Sequence, residues 1–122
     1  MLRILLADRL APARSATRMF LSRYASEWQI VAEAADEAAL LRYLDDACAD
    51  VVIMHAGVAK MALPDLVRQL RSACPQVRVL VTSGDPDLET VVKAAGADDF
   101  VYLGDPPPRL VTKLRIIQTE QF

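Results

Sequence analysis

The stretch Asp50-Val51-Val52-Ile53-Met54-His55-Ala56-Gly57 decides the fold. Four apolar residues in a row, most of them β-branched, run from an aspartate to a break ending in glycine. That composition and length predict a short strand buried on both faces, as the central strands of parallel sheets are. In open α/β sheets, ligands and chemistry sit just beyond the carboxyl ends of such strands. Here that position holds His55, the one histidine of the chain.

The same pattern recurs along the rest of the chain. Leu2 to Ala7 is an apolar run ending in Asp8-Arg9, which predicts a first buried strand. Pro12 then opens a helical pattern with Ala13, Ala16, Met19, Phe20 and Tyr24 on one face. Trp28 to Ala34 reads as a second strand, and Asp36 as the N-cap of a helix with Glu37 in its first turn and Leu40, Leu41 and Leu44 inward. After His55 a loop runs to about Leu63. Pro64 and Asp65 start a third helix that points Leu66, Val67 and Leu70 inward and ends near Cys74-Pro75. Val77 to Thr82 is a fourth strand, broken by Ser83-Gly84-Asp85-Pro86. Asp87 to Ala95 is a short helix with Gly96 as its stop, and Phe100-Val101-Tyr102-Leu103 is a fifth strand. Gly104 to Pro108 turns the chain into a last helix striped by Leu110, Val111, Leu114 and Ile117. Strand and helix thus alternate five times with short connections. Such alternation predicts a doubly wound α/β domain, residues 1–122, with a parallel sheet in the flavodoxin-like (βα)5 order 2-1-3-4-5.

Composition fits one domain with a real core. The chain has 122 residues, 53% of them hydrophobic, and a net charge of −2. Nothing in that balance pulls the protein toward nucleic acid, and no basic helix or helix-turn-helix follows the fifth helix. The apolar runs are too short to span a membrane. Cys48 and Cys74 lack metal-ligand spacing and read as unpaired thiols. With no signal peptide, they suggest a reducing, cytoplasmic setting.

Five segments, in order over nearly the whole chain, resemble the receiver domains of bacterial two-component response regulators, above all those joined to LuxR-type outputs. Ile4-Leu5-Leu6-Ala7-Asp8 resembles the family's first strand, and Glu33-Ala34-Ala35-Asp36 its second strand and turn. Asp50 to Met54 resembles the run into the phosphoacceptor. Gly96-Ala97-Asp98-Asp99-Phe100-Val101 resembles the approach to the fifth-strand lysine, and Gly104-Asp105-Pro106-Pro107 the turn after it. The resemblance implies phosphoryl transfer from a histidine kinase to an aspartate. Two carboxylates after the first strand would hold Mg²⁺ through hard oxygen ligands, a lysine would neutralise the phosphoryl oxygens, and a hydroxyl after the fourth strand would bond them.

This chain departs from that pattern at three of five positions. Asp8 matches the first carboxylate and Ser83 the hydroxyl, with Thr82 as its substitute. Arg9 stands where the second carboxylate belongs, His55 where the nucleophile belongs and Leu103 where the lysine belongs. Taken singly, each has an ordinary reading: a solvated loop arginine, a space-filling histidine, a leucine that extends the core. Taken together they predict a disabled pocket, with Arg9 neutralising Asp8 in place of the metal.

The expected function is therefore non-enzymatic. The chain reads as an atypical receiver without cofactor, its Mg²⁺ site lost, that acts by phosphorylation-independent protein contacts. The resemblance implies a contact face for a partner protein on helix 4, strand 5 and helix 5, with Phe100, the family's rotamer-switching aromatic, Tyr102, Leu110 and Leu114 on it; the apolar stripe of the last helix leads to the expectation of a homodimer through this face or the adjoining first helix. A helix-turn-helix domain is expected to follow if the chain belongs to a longer regulator. The alternative keeps His55 as a phosphoacceptor, or as a contact for a metal or small ligand.

Overall fold

The computed structural model describes residues 1–121. Five parallel strands form one sheet in the order β2-β1-β3-β4-β5, where β1 is Leu2–Ala7, β2 Trp28–Ala34, β3 Val51–His55, β4 Arg78–Ser83 and β5 Asp99–Tyr102. The helices are α1 (Ala11–Leu21), α2 (Glu37–Asp46), α3 (Leu63–Ala73), α4 (Leu88–Ala94) and α5 (Pro108–Gln121). This is the expected doubly wound architecture.

The burial of β3 on both faces follows from its alternation. Val52 and Met54 point into a layer shared with Leu40 and Leu44 of α2, Leu66, Val67 and Leu70 of α3, and Val92 of α4. Val51 and Ile53 point the other way, into a layer with Leu21 of α1 and Val111, Leu114 and Ile117 of α5. A period of two makes an unbroken apolar run necessary wherever both faces are covered.

Local signals place most of the ends. The Asp36 carboxylate accepts from the Ala39 N–H at 2.8 Å and so caps α2. Gly96 takes φ +101° just after α4, a conformation that a side chain would strain. Strands β4 and β5 each lie one residue from the expected bounds, so Leu103 falls outside β5 and is 54% exposed rather than extending the core.

Two other expectations change. Met19 is 68% exposed, and Tyr24 belongs to a 3₁₀ turn, Ser22–Tyr24, where its ring sits 5.0 Å from that of Trp28. Of the α1 side chains only Leu21 is fully buried. The residues that α1 turns toward the sheet near its start are small, Ala13 and Thr17, and they leave space beneath the helix. The cysteines are not free: Cys48, before β3, is disulfide-bonded to Cys74 at the end of α3, with Cα atoms 5.5 Å apart. That pairing removes the thiol-based reason for a reducing compartment.

Candidate functional site

The ends of β1, β3, β4 and β5 meet at the carboxyl edge of the sheet. A cavity of about 280 Å³ opens there, between the sheet, α1 and the turn into α5. Strand alternation decides which residues reach it. Leu6 and Ile53 face α1 and α5, so the next residues on the same side are Asp8 and His55. Leu80 faces the same way, which brings Thr82 to the cavity, and Thr82 pairs with His55 in the ladder. Val101 does so on β5, and Leu103 follows it. Asp8, His55 and Leu103 therefore share one site.

Arg9 and Ser83 do not join them. Arg9 is exposed and forms no ion pair among the described residues, so the expected neutralisation of Asp8 by Arg9 is not made. Arg9, one residue beyond Asp8, falls on the opposite parity and is exposed. Ser83 is buried on the opposite parity from Thr82, and its Oγ accepts from the Asp85 N–H at 3.0 Å, closing the turn after β4. The guanidinium that hydrogen-bonds Asp8 is that of Arg14. Its Nη1 donates to the Asp8 carbonyl oxygen at 2.7 Å, while its Nε lies 3.6 Å from Glu33. The Asp8 carboxylate itself accepts from the Leu10 N–H at 3.0 Å.

His55 is held by its own loop. Its Nδ1 accepts from the Gly57 N–H at 2.9 Å. A nitrogen that accepts carries no proton, so this geometry assigns the proton of the neutral ring to Nε2. The glycine permits the contact, since a Cβ there would lie 3.1 Å from Nδ1. The loop beyond is fixed from α2: the buried Glu37 carboxylate accepts from the N–H groups of Lys60 at 2.6 Å and Met61 at 3.0 Å. On the sequence Glu37 reads only as a first-turn acid; nothing local signals a contact 23 residues away.

The residues assigned to a switch or interface separate into two groups. Phe100 and Leu114 are core residues on opposite faces of the sheet: Phe100 projects from β5 into the layer of α2, α3 and α4, and Leu114 reaches the other face from α5. They are not available for an interface. Tyr102 and Leu110 are half-buried and line the cavity. Gly104 lets the Tyr102 ring lie against the turn, where a Cβ would collide with it. The large apolar side chains that do stand exposed on this side are Val91, Leu103 and Ile116.

No protein-family model and no curated protein matches the sequence. Solved structures do. RcsB from Salmonella enterica serovar Typhimurium, bound to promoter DNA with a phosphomimetic, superposes with TM-score 0.84 at 19% identity, covering 97% of this chain and 99% of that one. The signal receiver domain of NarL from Mycobacterium tuberculosis gives 0.81 at 22% identity, covering 96% of each chain. A LuxR-family response regulator from Aurantimonas sp. SI85-9A1 gives 0.86 at 24% identity, covering 97% of this chain and 85% of that one. The chain has the receiver fold. Its carboxyl edge is where the resemblance locates the receiver chemistry. Thr82, Thr17 and Asp105 belong to the cavity although the receiver pattern singles out none of the three as its first choice. Strict alternation through β4 would have chosen Thr82 over Ser83.

Proposed function

We propose that this chain is an atypical receiver domain of two-component signalling that works through protein contacts, without phosphorylation and without enzymatic activity. The observation that carries the reading is His55 at the end of β3, with Nδ1 engaged by the Gly57 N–H. The donors do not fit Mg²⁺, which takes oxygen ligands in near-octahedral geometry. Asp8 is the one carboxylate at the ends of β1 and β3, with one oxygen already accepting from Leu10. Leu103 offers no charge to a phosphoryl group.

The alternative, His55 as phosphoacceptor or metal ligand, meets a specific obstacle. Either role at Nε2 needs a lone pair there, which moves the ring proton to Nδ1 and points it at the Gly57 N–H. Incubation with acetyl phosphate and Mg²⁺, read by intact mass, tests both. The unmodified mass is expected, and a phosphoryl adduct overturns the reading.

The partner surface is the side of α4, β5 and α5, as the receiver fold suggests. Val91 and Leu103, 56% and 54% exposed, supply its apolar contacts in place of Phe100 and Leu114. A homodimer that forms without phosphodonor is the expected state. Sedimentation of the parent and of Val91→Asp tests it, and a monomeric parent at high concentration overturns it. Cytoplasmic residence is likewise proposed. Cell fractionation tests it, and recovery of the protein outside the cytoplasm overturns it.

A further inference from the structure

We infer that the cavity under α1 is a binding site for a small organic amine, an apolar ring system carrying a protonated nitrogen. The inference rests on the reading that no Mg²⁺ or phosphoryl group occupies this edge. Leu6, Phe20, Ile53, Val101 and Leu110 form apolar walls, and the small Ala13 of α1 fails to fill the space between them. About 280 Å³ is close to the lower size of ordinary small-molecule clefts. It suits a one- or two-ring ligand rather than a nucleotide.

Charge selects the rest of the ligand. Two carboxylates, Asp8 and Asp105, line the cavity. Asp8 pairs with no cation among the described residues, and Asp105 has only the exposed Arg109 at 3.9 Å. The one guanidinium in the lining, Arg14, donates Nη1 to the Asp8 carbonyl, and its Nε lies 3.6 Å from Glu33 without a hydrogen bond. With two carboxylates against one guanidinium in the lining, an anionic ligand would be repelled, while an ammonium would pair with Asp8. His55 adds a single donor, its Nε2–H, with its other nitrogen turned away to Gly57. The polar groups are few against an apolar lining, which is the usual arrangement of a small-molecule site.

Tryptamine is the probe, with indole-3-acetate as the same ring system bearing the opposite charge. Protein amide shifts report both titrations. Tryptamine should saturate with a Kd of about 1 mM or tighter, the affinity expected of a ligand that small. Its shifts should map to Asp8, Thr17, His55 and Leu110. Indole-3-acetate should bind at least about tenfold more weakly. Asp105→Asn should narrow that preference while leaving the spectrum folded, and Ala13→Phe should abolish binding by filling the cavity. No saturable shift up to roughly 10 mM tryptamine, equal affinity for the acid, or parent-like binding by a folded Ala13→Phe overturns the inference. Shifts at the same residues that grow with protein concentration alone put a second copy there and also overturn it. A parallel sample with Mg²⁺ and acetyl phosphate keeps the two proposals apart. A phosphoryl adduct defeats the proposed function, whereas an unmodified protein that ignores tryptamine defeats only the ligand site.

Discussion

Replacing Leu114 by alanine separates a core residue from an interface residue. Leu114 is 0% exposed and packs with Leu2, Ile4, Val51 and Ile53 on the α1/α5 face of the sheet. The substitution removes three carbons, worth about 2.4 kcal/mol in transfer alone at 0.8 kcal/mol per buried CH₂. The space left behind adds to that, because a layer between a sheet and a helix relaxes only in part, so a total of about 3–4 kcal/mol is expected. Leu110, one helical turn earlier, is half-buried and already borders an open cavity. It has fewer contacts to lose, and Leu110→Ala should cost about 1 kcal/mol. Urea denaturation followed by circular dichroism measures both, with an unchanged slope as the check on two-state behaviour. If Leu114→Ala costs under about 1 kcal/mol and instead weakens self-association, the residue lies at an interface and the packing described here is wrong. If the two variants cost the same, no cavity borders Leu110.

Glu37→Ala strips the acceptor from two backbone N–H groups in the loop after β3; a loss of about 2–3 kcal/mol in urea melts is expected, and Glu37→Gln, which keeps one acceptor oxygen, should lose less. Arg9→Ala should melt within about 0.5 kcal/mol of the parent, since Arg9 is exposed and unpaired; a larger loss would restore the neutralising role that its position in the sequence suggests. For Asp99, burial opposes ionisation, but the hydrogen bond from Lys113, the Phe100 N–H and the charges of Lys113 and Lys93 outweigh it and hold the carboxyl below its usual 3.8. A depressed folded value stabilises above the unfolded pKa and is lost as pH falls through the folded one, so acid melts should steepen below about pH 4 in the parent and less so in Asp99→Asn.

Much of the fold was legible because parallel strands covered on both faces have one economical sequence solution. Val51 to Met54 and Ile4 to Ala7 are unbroken apolar runs since each face of the sheet meets helices. Helix ends were legible where a single residue carries the physics, as Asp36 and Gly96 do. What the sequence left open was direction and distance. A run of apolar residues does not say which face each occupies until one contact fixes the parity. Once Ile53 is placed against α5, parity carries His55 and Thr82 into the cavity and turns Ser83 away from it. Contacts between distant segments had no local signal either: Cys48 with Cys74, Glu37 with the loop after β3, Arg14 in place of Arg9 beside Asp8. The same parity explains why three substitutions scattered along the chain do not act as one unit. Asp8, His55 and Leu103 follow Leu6, Ile53 and Val101 on one side of the sheet, and share a cavity. Arg9 falls one residue out of step, so its charge faces solvent and the carboxylate of Asp8 pairs with no cation among the described residues.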